Sequence, residues 1–207
     1  MVLEISVFLL FILFTAGHSL SCYECSPSDK SCSDQKLKTC DSGFSKCSSS
    51  TAVHQTGGIT TLFRSKGCNN NCRSGSLNVG FLRNVVVCCD TDQCNAQHAP
   101  DPRTIVPNGN KCYYCDEKSC LNIMSCSGSE DRCITVTPKN LKETEVSSTS
   151  RGQRVVKGCY SQHVCNSLVS GPENISCCSG NLCNGAKSVT QSFLFLCCSL
   201  LFFILLY

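Results

Sequence analysis

The most constraining feature of this chain is a cysteine frame that it writes twice. The stretch CCDTDQCN, Cys88 to Asn95, returns as CCSGNLCN, Cys177 to Asn184. Twenty cysteines fall into two groups of ten around these closures. The first group is Cys22, Cys25, Cys32, Cys40, Cys47, Cys68, Cys72, Cys88, Cys89 and Cys94. The second is Cys112, Cys115, Cys120, Cys126, Cys133, Cys159, Cys165, Cys177, Cys178 and Cys183. The intervening residues number 2, 6, 7, 6, 20, 3, 15, 0 and 4 in the first, and 2, 4, 5, 6, 25, 5, 11, 0 and 4 in the second. The opening, middle and closing gaps are identical, whereas the long gaps vary. That is the mark of a repeated knot with loops of variable length.

Cysteine makes up 22 of 207 residues, a density that signals a disulfide scaffold in an oxidising compartment. The ends agree with that compartment. Residues 5–16, ISVFLLFILFTA, are apolar, and Gly17-His18-Ser19 offers small residues for a cut before Leu20. Residues 1–19 read as a secretory signal peptide, too short to span a bilayer that needs about 20 apolar residues. Residues 193–207, FLFLCCSLLFFILLY, are uncharged and follow a polar spacer. This reads as a glycosylphosphatidylinositol attachment signal, with 185–207 as the removed propeptide and Asn184 or Ala186 as the attachment residue. Outside those segments 17 basic and 14 acidic residues remain, a net charge of +3, too mild to argue for nucleic acid.

Between the cysteine groups lies AQHAPDPRTIVPNGNK, residues 96–111, with three of the six prolines and no apolar periodicity. It reads as a partly extended linker between a first domain, 20–95, and a second, 112–184. Each is too small to rely on an apolar core, so five disulfides at about 2–4 kcal/mol each decide whether it folds.

The apolar runs are short and strand-like. Val53 leads into Gly57-Gly58, after which Ile59, Thr61 and Phe63 alternate, a hairpin with a glycine turn. Val85-Val86-Val87 is a β-branched strand running into Cys88. Cys133 to Thr137 stops at Pro138, and Arg154 to Lys157 returns to Cys159. No segment of the mature chain carries a helical period, so the fold class is small, disulfide-rich and all-β. At a strand end, neighbouring cysteines point to opposite faces. One sulfur can reach across the sheet and the other can close a short loop to the cysteine five positions on. Ten cysteines allow many connectivities, and spacing alone does not choose among them.

The opening CxxC, the repeated Lys66-Gly67-Cys68 and Lys157-Gly158-Cys159, and above all the closing CCxxxxCN resemble the lymphocyte-antigen/urokinase-receptor family of three-finger domains. The resemblance covers residues 20–184 and implies two tandem three-finger, snake-toxin-like domains with five disulfides each. In the first, it implies Cys22–Cys47, Cys25–Cys32, Cys40–Cys68, Cys72–Cys88 and Cys89–Cys94. In the second, it implies Cys112–Cys133, Cys115–Cys120, Cys126–Cys159, Cys165–Cys177 and Cys178–Cys183. Fingers would lie at 22–40, 47–68 and 72–88, then at 112–126, 133–159 and 165–177. It also implies that Asn95 and Asn184 hydrogen-bond within the knots. Some family members lack one bond in the first domain; this chain has the cysteines for all five in both.

Three chemistries compete for the same residues. A redox site at Cys22-x-x-Cys25 or Cys112-x-x-Cys115 would need a βαβ context that is not visible. Zinc would need free thiolates, which paired cysteines lack. A hydrolase would need a nucleophile motif beside His18, His54, His98 or His163, and none accompanies them. We therefore expect no catalytic residue, no metal and no cofactor. The expected function is a lipid-anchored, outer-leaflet receptor or adhesion protein that binds an extracellular or cell-surface protein through its finger loops. The alternative is a secreted protein like the two-domain gamma-type phospholipase inhibitors. Candidate contacts are Ile59 and Phe63, residues 139–148 of the longer second finger, and a groove between the domains. Asn174-Ile175-Ser176 is an N-glycosylation sequon.

Overall fold

A computed structural model describes residues 19–26, 32–138, 155–163, 165 and 173–185. The secretory segment up to His18, residues 139–148, Ala186 and the apolar stretch 193–207 lie outside the described residues. Among the described residues there are eleven strands: β1 (Ser21–Glu24), β2 (Lys36–Thr39), β3 (Lys46–Thr56), β4 (Ile59–Asn69), β5 (Gly75–Asn78), β6 (Leu82–Cys89), β7 (Pro107–Tyr114), β8 (Asn122–Ser127), β9 (Arg132–Pro138), β10 (Val156–Tyr160) and β11 (Glu173–Cys178). β1–β2 and β7–β8 form two-stranded sheets. The other seven make one sheet in the order β11-β9-β10-β5-β6-β3-β4.

The longest hairpin follows from its turn. Gly57 and Gly58 have φ of 57° and 82°, which suits a two-residue loop whose twist matches the flanking strands. β3 and β4 then pair without a slip from Thr56–Ile59 to Lys46–Asn69. Pro138 stays inside β9 instead of ending it beforehand. It lies beyond the reach of β10, whose pairing begins at Val136–Val156, so its missing N–H costs that ladder nothing.

Each knot is built of sulfur. Ten disulfides bring their partners' Cα atoms to between 3.9 and 6.1 Å. The buried clusters are Cys22, Cys40 and Cys47 in the first domain, and Cys112, Cys126, Cys133 and Cys159 in the second. The closing motif does more than supply sulfur. Asn95 accepts the Tyr23 N–H and donates to Tyr23 O and Ser48 O, all at 2.9 Å. Asn184 repeats this on Tyr113 N (2.9 Å), Tyr113 O (2.9 Å) and Ile134 O (3.0 Å). Three residues earlier, Asp92 and Asn181 each accept a strand N–H at 2.8 Å, from Ser21 and Lys111.

The segment read as a linker is part of the fold. β7 begins at Pro107, inside it, and Ala99 is hydrogen-bonded to β3. The reason is visible in β3 itself, where Ser49 and Thr51 are buried and their hydroxyls need partners. Ser49 Oγ accepts the Ala99 N–H (2.9 Å), and Thr51 Oγ1 donates to Ala99 O (2.7 Å). Lys66 Nζ reaches Ala96 O and Gln35 Oε1. Burial, and then the charge of Arg64, lower the Lys66 pKa.

The expected groove between the domains is instead a seam. β5 and β10 pair antiparallel, Asn78 with Cys159 and Leu77 with Tyr160. The pairing extends to Ser161, whose N–H donates to Ser76 O (3.1 Å) and whose Oγ accepts the Ser76 N–H (2.8 Å). Gly158 makes the approach possible, because a Cβ there would overlap the Asn78 carbonyl and fall 2.9 Å from Val79 Cα. Beside the seam Glu130 is 4% exposed. Burial pushes its pKa up from 4.5 to about 7, against the Ser127 N–H, the Ser76 hydroxyl and the charge of Arg83.

Folded Glu130 therefore holds its proton more tightly than the unfolded chain does. Its contribution to stability is full below pH 4.5 and is lost as pH rises through about 7. The free energy of unfolding from urea titrations should fall between pH 4.5 and 8, by at most about 3 kcal/mol from this group. Glu130→Gln should flatten that window and raise stability at pH 8; an unchanged pH profile in the variant would refute the assignment.

Candidate ligand-binding face

The seven-stranded sheet has two unlike faces, and the register assigns each residue to one. On β3, Cys47, Ser49, Thr51 and Val53 are buried, while Ser48, Ser50, Ala52 and His54 are half-buried. Directly opposed residues share a face, so the buried side continues through Lys66 on β4, Val85 on β6, Ser76 and Asn78 on β5 and Cys159 on β10. The docked segment 96–102 covers part of it. The second face is half-open. Its central row runs Phe63, Ala52, Asn84, Leu77 and Tyr160, crossing five strands and both domains. Ser50 Oγ donates to Asn84 Oδ1 (2.8 Å) within this face. Burial raises the Tyr160 pKa above its ordinary value.

At the finger tips the face ends in exposed apolar groups. Ile59 is 71% exposed beside the Gly57-Gly58 turn, and Phe81 is 46% exposed at the β5–β6 turn. The Phe81 and His54 rings meet edge to face at 6.0 Å, and Phe81 O accepts the Gln55 N–H (2.8 Å), so the two tips are joined. The second domain reaches the same place. Gly80, at φ 85°, packs under the Tyr114 ring, where a Cβ would stand 2.8 Å from Cδ2. At the knot end lies a cleft of about 400 Å³ lined by Glu24, Lys38, Asp41, Phe44, Ser48 and Ser65. Glu24 and Lys38 form an ion pair of 3.0 Å across its wall, each about half exposed.

Of the two residues singled out from sequence, the structure separates the roles. Phe63 is a half-buried member of the central row, opposite Ala52, whereas Ile59 is a free tip. Asn174 is exposed on β11. Asn184 is buried in the second knot, and Gly185 packs against the Tyr113 ring. Phe81 was not found from the sequence, although an aromatic directly after Gly80 at a strand start was the available signal.

The cysteine motifs that suggested chemistry are divided among bonds. Cys22 joins Cys47 and Cys25 joins Cys32, so that CxxC never closes on itself. Cys112 and Cys115 part in the same way. Among the described residues, two sulfur triads lie close enough for a metal, Cys22/Cys40/Cys68 and Cys112/Cys126/Cys159. Every sulfur in them is in a disulfide and offers no thiolate. His54 sits against Phe81. His98 lies in the docked segment, its pKa lowered by burial and then by the charges of Lys66 and Arg64.

Comparison with known proteins agrees with this architecture. The u-PAR/Ly-6 domain matches residues 18–97, and the snake toxin and toxin-like protein domain matches residues 111–184. The urokinase plasminogen activator surface receptor of Rattus norvegicus is 29% identical over 91% of this chain and 62% of its own length. That of Mus musculus is 27% identical over 83% and 56%. Phospholipase A2 inhibitor NAI of Notechis ater is 30% identical over 62% of this chain and 69% of its own length. The chain thus spans less than two thirds of the receptors it matches.

Ile59→Ser should leave the unfolding free energy from urea titration within about 0.5 kcal/mol of wild type, whereas Phe63→Ala should cost about 1–2 kcal/mol. Equal losses at the two positions would contradict the assignment of Ile59 as a free tip.

Proposed function

The chain belongs to the u-PAR/Ly-6 family of three-finger proteins, and from that premise we propose that it is a cell-surface receptor or adhesion protein that binds an extracellular protein ligand. The observation that carries this reading is the half-open face running across both domains and ending in the exposed tips Ile59 and Phe81. Such a surface is preorganised: disulfides and the β5–β10 seam hold it, so a ligand loses little affinity to ordering it. Aromatic and aliphatic tips around half-buried polar groups are the usual chemistry of protein recognition. The relatives are a receptor and inhibitors, not enzymes, and every described cysteine is consumed in a disulfide.

In this reading a glycosylphosphatidylinositol anchor holds the chain to the outer leaflet after removal of the apolar stretch 193–207. Ala186 is the better attachment residue. Asn184 is engaged by three hydrogen bonds, Gly185 packs on Tyr113 and its N–H donates to Leu182 O. Asn174 carries an N-glycan, its side chain exposed on β11.

The phospholipase A2 inhibitor of Notechis ater supports a second reading, because this chain covers 69% of its length. In that reading the chain is secreted and inhibits a phospholipase. Expression of the full chain in mammalian cells distinguishes the two. Phosphatidylinositol-specific phospholipase C should release it from the surface, and Ala186→Lys should strongly reduce surface display. Constitutive secretion of the unmodified chain together with inhibition of phospholipase A2 would overturn the receptor reading. Peptide N-glycosidase should increase its mobility on gels, and Asn174→Gln should abolish that shift.

A further inference from the structure

We propose that the outer edge of β4 is a self-pairing surface, joining two copies of this chain into one continuous sheet. β4 ends the seven-stranded order, so among the described residues one side of its backbone has no paired strand beyond the Cys25 bridge. Which groups face outward is fixed by the one place where that side is occupied. There Cys25 and Lys66 exchange hydrogen bonds, Cys25 N–H to Lys66 O (3.2 Å) and Lys66 N–H to Cys25 O (3.3 Å). Outward groups recur every second residue, so Arg64, Leu62 and Thr60 also present N–H and C=O to the outside. Among the described residues no partner meets these groups.

The open window has limits at both ends. The Gly57-Gly58 turn closes one and the Cys25–Lys66 bridge closes the other, which leaves Ile59 to Ser65. That window is centred on Leu62. A second copy running antiparallel would place Leu62 opposite Leu62 and Thr60 opposite Arg64 twice, each a pair that exchanges two backbone bonds. No like charges meet directly, since Arg64 faces Thr60 and Phe63 faces Thr61. A two-fold, isologous contact of this kind closes on itself and does not propagate. The occupant is therefore a second copy of the chain, because the window is complementary to itself.

The edge has little of the usual protection. Strand edges are blunted by charged side chains, proline or bulges, and β2 carries Lys36 and Lys38. The open window of β4, Ile59 to Ser65, holds one charge, Arg64, and no lysine, proline or bulge. The molecule already joins its own two domains edge to edge at β5–β10.

Cysteine trapping in the full chain tests this, and it reads equally on cell-bound or secreted protein, so it stands or falls independently of the anchor. In an antiparallel hydrogen-bonded pair the Cα atoms are about 5.5 Å apart, within disulfide range. Leu62→Cys should give a covalent homodimer on non-reducing gels, and Thr60→Cys alone should remain monomeric. Thr60→Cys co-expressed with a differently tagged Arg64→Cys should give a mixed dimer, which keeps the test alive should Leu62→Cys misfold. Absence of the mixed dimer would overturn the proposal. So would equal dimerisation of Thr60→Cys alone, or capture of Leu62→Cys by a different protein.

Discussion

Everything else in the molecule depends on the sulfur knots. Among the described residues neither domain contains a large apolar core, and the chain has no tryptophan. The fully buried groups are dominated by half-cystines, with Ile134 the largest side chain among them. Disulfides restrict the unfolded ensemble and fix strand ends in contact. Polar groups complete what sulfur begins. Asn95 and Asn184 tie the first strand of their domain to β3 or β9. Asp92 and Asn181 hold the same first strand one turn earlier. The closing CCxxxxCN is thus a covalent and hydrogen-bonded clasp on the first strand, repeated with the same geometry.

With the strand ends held, the strands are free to be polar. β3 shows the consequence: its buried side carries Ser49 and Thr51, and their hydroxyls recruit the backbone at Ala99. The same logic builds the seam, where Ser76 and Ser161 extend the β5–β10 ladder and Gly158 removes the side chain that would block it. One seven-stranded sheet therefore runs through both domains. Glu130 opposes this assembly, since a carboxylate buried beside the seam stands between solvation lost and hydrogen bonds gained. Burial is the larger effect and raises its pKa.

The all-β class and the doubled frame were legible in the sequence because cysteine spacing and β-branched runs are local signals. So was the β3–β4 hairpin, since Gly57-Gly58 marks its own turn. What could not be read depends on contacts distant in sequence. Residues 96–111 look like a linker because proline and polar residues dominate locally, yet Ser49 and Thr51, half a domain away, decide where that segment lies. The seam depends on Asn78 meeting Cys159, which no periodicity announces. Within the closing motif, Asp92 and Asn181 looked like arbitrary spacer residues. Their shared ability to accept a backbone N–H becomes visible only when the two closures are overlaid in space.

The two faces of the sheet explain why this architecture suits recognition. The side that must satisfy buried hydroxyls and Lys66 is spent on the molecule's own backbone. On the other side Ser50 is paired with Asn84, and Phe63, Leu77 and Tyr160 are partly accessible. A ligand seated there, as proposed, would displace water from that apolar surface. Variation in finger length changes the rim of that face, while the knots remain untouched. A scaffold whose stability resides at one end and whose accessible side chains lie at the other can therefore alter its ligand without renegotiating its fold.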